Sequence, residues 1–427
     1  MPKPRIWIRN GRLIDPANQI DEVRDVFIAK GKIVSTSAKP DGFNADVEID
    51  ASDKIVCPGF IDLCGRLREP GEEHKASIAS ETKAAAAGGI TTLCVPPDTS
   101  PVIDTPSVAD SIRQRVRQYG FVRVLPIGAL TRKLDGSRLS EMAALKEAGC
   151  IGVTNLLQPM ENPLVLRRAL EYAATHDLVV FVHPQDHWLK AGGCMHEGRV
   201  STRLGLPGIP TAAETTAVAF YLALVEQIGV HVHFCRLSSA RAVRMIARAQ
   251  HNGLPITADV CAHQLHFTED AIANFEALYH VEPPFRTEQD KAGLRLGLRE
   301  GVVKSICSDH QPQDLDAKLA PFPDTEPGMS SFETLLPLSL AIATEEEFSL
   351  SDMIAHLTTG PAKALQINLG TLSNQVKADV CIFDPKQQWL LTSKQMHSRG
   401  HNTPMMNQTL TGRVTHSIFE GQLVFSL

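Results

Sequence analysis

The sequence predicts an α/β fold: a (β/α)8 TIM-type barrel with a small β-sandwich-like domain built from both chain ends. Three observations predict it. Strand-like and helix-like runs alternate eight times through the middle of the chain, the pattern of a closed parallel barrel. Both ends carry only short strand-like pieces. No GxGxxG or GK[ST] phosphate loop follows an early strand, which disfavours an open doubly wound sheet.

The N-terminal pieces are RIWIRNGRLID (5–15), with Asn10-Gly11 read as a turn, and VFIAKGKIV (26–34), with Lys30-Gly31 as another. The eight barrel strands are expected at 55–63, 91–96, 122–130, 152–157, 179–183, 231–237, 256–262 and 303–308. Helical runs between them include 106–119, 138–148, 163–175, 211–228, 239–252 and 332–346. Thr105-Pro106 reads as an N-cap followed by proline at the first helical position. Thr211 to Glu214 has capping-box spacing. The C-terminal strands are expected in ADVCIFD (378–384) and GRVTHSIFEGQLVFSL (412–427). The expected division is therefore 1–56 and 371–427 for the β domain, and 57–370 for the barrel.

With 427 residues, 43% hydrophobic and 21% charged, the chain can bury a large core. A net charge of −6 gives no reason to expect nucleic acid or an anionic membrane as partner. The nine cysteines are scattered with no Cys-x-x-Cys. Cys94, Cys235, Cys261, Cys307 and Cys381 fall in strand-like runs, so reduced structural thiols and a cytoplasmic location are expected. No signal peptide or membrane-spanning run is read.

Several separate motifs occur in a fixed order. They are PGFIDLCGRLREPG (58–71), GGITTLCVPPDTSPVID (88–104), GLPGIP (205–210), SDH (308–310), PG…ET (327–334) and NTP (402–404). Together they resemble dihydroorotase of the long bacterial type, in the amidohydrolase superfamily, over most of the chain. The resemblance implies a zinc-dependent hydrolase of cyclic amides in pyrimidine biosynthesis.

The ligands that such a metal centre uses do not all carry over. The family's His pair on strand 1 falls on Cys64 and Arg66. Strand 4 should supply a carboxylated Lys or an Asp, but GVTNLLQ (152–158) offers only Asn155. The strand 5 His is retained as His183. The strand 6 His falls on Arg236, and the strand 8 general base is retained as Asp309. A catalytic zinc needs about three ligands from His, Asp, Glu or Cys plus an open water position, and a guanidinium has no lone pair to give. The substrate pocket departs as well. Arg68 matches the family's carboxylate-binding Arg, but Asp98 and Gln313 stand where the family has Asn and His, and Glu282 replaces an Asn.

The expected outcome is a non-catalytic dihydroorotase homologue needing no cofactor. The resemblance implies a structural subunit for aspartate carbamoyltransferase, and a homo-oligomer. Arg66 or Arg236 is expected to pair with Asp309, and Arg68 with Asp98. The alternative is an active dihydroorotase with an unusual or single zinc, held by Cys64, His183 and Asp309. A hydantoinase or allantoinase relative would need the same strand 1 His pair, and a small-molecule sensor has only Arg68 in support. His231 and His233 fall on one side of a strand and are not expected to ligate a metal; His263, Gln264 and His266 are read as packing or loop residues. Asp110, Arg113, Arg115 and Arg117 are read as a solvated or partner-facing helix surface.

Overall fold

The computed structural model describes residues 3–427. Eight parallel strands follow one another around a barrel: Phe60–Asp62, Ile90–Val95, Arg123–Pro126 continued by Gly128–Ala129, Gly152–Thr154, Val179–Val182, Val232–Phe234, Ile256–Cys261 and Ser305–Cys307. The ring closes where Gly65 bridges His310, with the Arg66 amide donating to the His310 carbonyl at 2.9 Å. Near-continuous burial of these strands is what a parallel sheet covered by helices requires. The C-terminal ends of all eight strands therefore converge on one mouth.

The terminal segments form one hydrogen-bonded sheet of eight strands around its own core, which includes Ile8, Leu13, Ile28, Val56, Val380 and Ile418. The expected strand 55–63 is two strands. Ile55–Pro58 joins the small domain, pairing with Val380–Phe383 and with Arg12 and Leu13, and the barrel begins at Phe60. Gly59 separates them: a Cβ there would lie 2.2 Å from Thr91 Oγ1, so only glycine permits the close approach. Asn10-Gly11 is not a turn. Residues Ile6–Asp15 form one strand, and the register slips between Ile8 and Gly11, a bulge with Asn10 at φ 62°. Lys30-Gly31 is the expected tight turn, both residues at positive φ.

The helices Pro106–Tyr119 and Pro163–Thr175 occupy their expected spans. Thr105 takes the N-cap position, but its hydroxyl meets Ser107 Oγ rather than a helix amide. Helices Ile78–Ala87, Glu288–Arg299 and Leu350–Leu357 were not among those read from the sequence. Thr211–Glu214 is not a capping box. Pro210 holds the N-cap position, and the Glu214 carboxylate turns inward to accept from the Ser238 and Ser239 amides and to face Arg286. A buried cation competes for Glu214 more strongly than a helix end does. Among the described residues, no helix is long and apolar enough to cross a membrane.

Candidate functional site

The mouth of the barrel gathers Cys64 and Arg66 from the first strand end, His183 from the fifth, Arg236 from the sixth and Asp309 from the eighth. All five are buried. Arg236 lies at their centre. Its Nη1 donates to Asp309 Oδ1 at 2.6 Å, and its Nη2 lies 3.1 Å from His183 Nδ1. A guanidinium has only donors, so His183 Nδ1 accepts and its proton sits on Nε2. Burial, with Arg236 and Arg66 adding repulsion, holds the His183 pKa well below the usual imidazole value, so the ring stays neutral. Burial opposes the charge on Arg236, but the Asp309 carboxylate beside it favours the charge, so the guanidinium stays protonated.

Asp309 has further partners. Gln311 Nε2 donates to Oδ2 at 3.1 Å, the Cys64 thiol donates to Oδ1 at 3.5 Å, and Arg66 Nη1 lies 3.6 Å away. Arg236 and Asp309 both sit at positive φ, 55° and 46°, as does Arg68 at 62°. Left-handed backbone in non-glycine residues concentrates at functional sites, and here it aims the two charged side chains at each other. The Arg236 amide is held in turn by Asp259 Oδ1 at 2.5 Å, while Asp259 Oδ2 meets His233 Nε2 at 2.9 Å. His233 thus serves as an internal partner of Asp259 and Thr257.

A metal ion does not fit this arrangement. The His183 nitrogen and the Asp309 oxygen that could face it already bind opposite arms of one guanidinium. Asn155 adds no bridging ligand: its Oδ1 accepts from Thr131 Oγ1 at 2.6 Å and its Nδ2 donates to the Gln158 carbonyl. Two other groups bring ligand-type atoms within 4.8 Å, namely Cys261–His263–Asp309 and His233–Cys235–Asp259. Each depends on a carboxylate already committed to Arg236, one through its side chain and the other through its amide. The repulsion between a fixed guanidinium charge and a cation opposes both.

The residues expected on the substrate side are paired differently from expectation. Asp98 pairs with Arg66 Nε at 2.6 Å, not with Arg68. The left-handed backbone at Arg68 instead turns its side chain to the Pro312 carbonyl (Nε, 3.0 Å) and to Glu72 (Nη1, 2.8 Å), an i,i+4 neighbour. Gln313 binds away from the mouth, its amide on Asn402 Oδ1 and its Nε2 on the Pro327 carbonyl. The cleft between Arg66, Arg68, Glu72, Pro96 and Asp98 has a volume of ≈ 10 Å3, about the space of one water. Glu282 is tied to Lys190.

Sequence reasoning missed Gln311, Asp259 and the pair His310–Glu81. His310 is fully buried and stacks on Phe332 with centroids 3.7 Å apart. Its Nδ1 accepts from the Ser331 amide, so the Nε2 proton points to Glu81 at 2.7 Å. The SDH motif placed His310 beside Asp309, but only the fold reveals that its ring meets Glu81 on helix Ile78–Ala87.

Comparison with known proteins agrees with the motifs. The family description "Dihydro-orotase-like" matches residues 53–242. A "Dihydroorotase-like protein" of Pseudomonas aeruginosa is 47% identical over 418 residues, covering 98% of this chain and 99% of that protein. A "Dihydroorotase" of Syntrophus aciditrophicus is 38% identical over 422 residues, covering 99% of each. Among solved structures, the L-hydantoinase of Arthrobacter aurescens superimposes with a TM-score of 0.89 at 22% identity, covering 99% of this chain and 96% of that one. At that identity the likeness speaks for the fold.

Proposed function

We propose that this chain, which belongs to the dihydroorotase-like family, is a member whose zinc chemistry has been lost and whose role is structural. The observation that carries the reading is the guanidinium of Arg236 between His183 and Asp309. Zinc in such enzymes lowers the pKa of a bound water to about 7 and polarises the scissile carbonyl. A guanidinium can polarise, but it binds no hydroxide. Asp309, the residue that would take a proton, is instead neutralised by an ion pair. The narrow cleft at Arg66 and Asp98 and the commitment of Gln313 elsewhere support the same reading on the substrate side.

The partner we propose is the catalytic subunit of aspartate carbamoyltransferase, with this chain holding the transferase in a larger assembly. The two purified proteins, mixed at micromolar concentration, are expected to elute together with a light-scattering mass above that of either alone. Independent elution would remove the partner while leaving the loss of zinc chemistry to be judged separately.

A further inference from the structure

The final strand, Gln422–Ser426, is an edge of the eight-stranded sheet, with Thr409–Phe419 as its single strand neighbour. Two open grooves flank it and meet at Val424. The larger has a volume of ≈ 830 Å3 and is lined by Arg113, Arg117, Arg123, Lys377, Phe419 and Leu423. The smaller, ≈ 430 Å3, is lined by Lys83, Lys394, Arg413, Trp389, Phe425 and Glu333. These walls contain the arginine-rich face of helix Pro106–Tyr119, which the mouth of the barrel does not use.

The charge there is opposite to that of the whole protein, which carries a net −6. Seven Lys and Arg side chains line the grooves, against Glu333 and Glu420. Glu420 is consumed by Lys3, Arg123 and Lys377. Glu333 is half-buried and accepts from the His397 and Ser398 amides. Lys83, Arg117, Lys394 and Arg413 make no ion pair among the described residues. Concentrated positive charge beside an unpaired strand edge attracts an acidic segment, and an edge supplies main-chain hydrogen bonds to an extended one. Leu423, 41% exposed, and the half-buried Val424 and Phe425 add apolar surface. Nucleic acid would have no use for the edge amides and carbonyls.

We propose that this face docks an extended acidic segment of a partner protein. The segment adds a strand at Gln422–Ser426, rests apolar residues on Leu423 in the larger groove and on Phe425 in the smaller, and sets its carboxylates against the cations of both. The register slips between Ser417 and Ile418, so Val424 bulges the edge. The bulge confines main-chain pairing to a few bonds and leaves the charges to select the partner. The site lies apart from the barrel mouth, so it stands or falls independently of the lost zinc chemistry.

The test is fluorescence anisotropy of the protein with a labelled peptide of about ten residues, Glu-Glu-Val-Val repeated, which carries both side-chain types on both faces. Two comparison peptides replace Glu by Lys, or carry N-methyl groups on alternate backbone nitrogens. The acidic peptide is expected to bind saturably and to weaken at high salt. The comparison peptides, and the double variant Lys83→Glu, Arg117→Glu, are each expected to weaken binding by about tenfold or more. A single-stranded oligonucleotide of equal charge is expected not to compete. Equal binding of the N-methylated or lysine peptide, an unaffected double variant, competition by the oligonucleotide, or no saturable binding would each overturn the proposal.

Discussion

Asp309→Ala is expected to destabilise the protein by about 3–5 kcal/mol in urea unfolding, with an unchanged slope against denaturant. The carboxylate is 1% exposed and compensates Arg236 directly and Arg66 in part. Without it, Arg66 keeps Asp98, but Arg236 keeps only the neutral His183, leaving a buried cation unpaired. A general base in an open catalytic site has the opposite character, since its removal abolishes turnover at little cost in stability. The pair can also be removed together. Asp309→Leu combined with Arg236→Met is expected to cost less than the sum of the single changes, because no charge is stranded. A loss under about 1 kcal/mol for Asp309→Ala, or strict additivity of the pair, would show that the ion pair does not organise the site.

The second large effect is expected at Glu214. It accepts hydrogen bonds from the Ser238 and Ser239 amides and the Ser238 hydroxyl, and it lies 3.4 Å from Arg286 Nη2. Both charged side chains are almost fully buried, at 4% and 2% exposed. Glu214→Ala is expected to cost about 3 kcal/mol, because Arg286 is left with only neutral partners, including His196 and the Ile209 carbonyl. Glu214→Gln retains an acceptor and is expected to fall between wild type and Ala. An Ala variant as stable as wild type would mean that the Glu214–Arg286 pair is not formed in solution.

These two sites mark how far the sequence could be read. The helices Pro106–Tyr119 and Pro163–Thr175 were legible because proline at the first position and an apolar face both act locally. The order of barrel strands was legible because parallel strands buried on both faces are short apolar runs. Glu214 was misread as a capping residue because its true partner, Arg286, is distant in sequence. Likewise the motifs brought Arg66, Arg236 and Asp309 to one mouth but could not say which guanidinium meets which carboxylate. That depends on the left-handed backbone at Arg68, Arg236 and Asp309, which spacing does not encode. Gln311 and Asp259 escaped notice for the same reason, since each acts on the site through a hydrogen bond set by tertiary geometry. The split at Gly59 was hidden inside a continuous apolar run, where only the approach of Thr91 distinguishes the two strands.

Loss of the metal centre is the central reading of the barrel mouth, and zinc content measures it most directly. Protein purified without added metal, then equilibrated with excess zinc and dialysed, is expected to retain well under one zinc per chain and to form no dihydroorotate from carbamoyl aspartate. One or more zinc ions retained per chain, lost on Asp309→Ala and accompanied by ring closure that the same substitution abolishes, would contradict it.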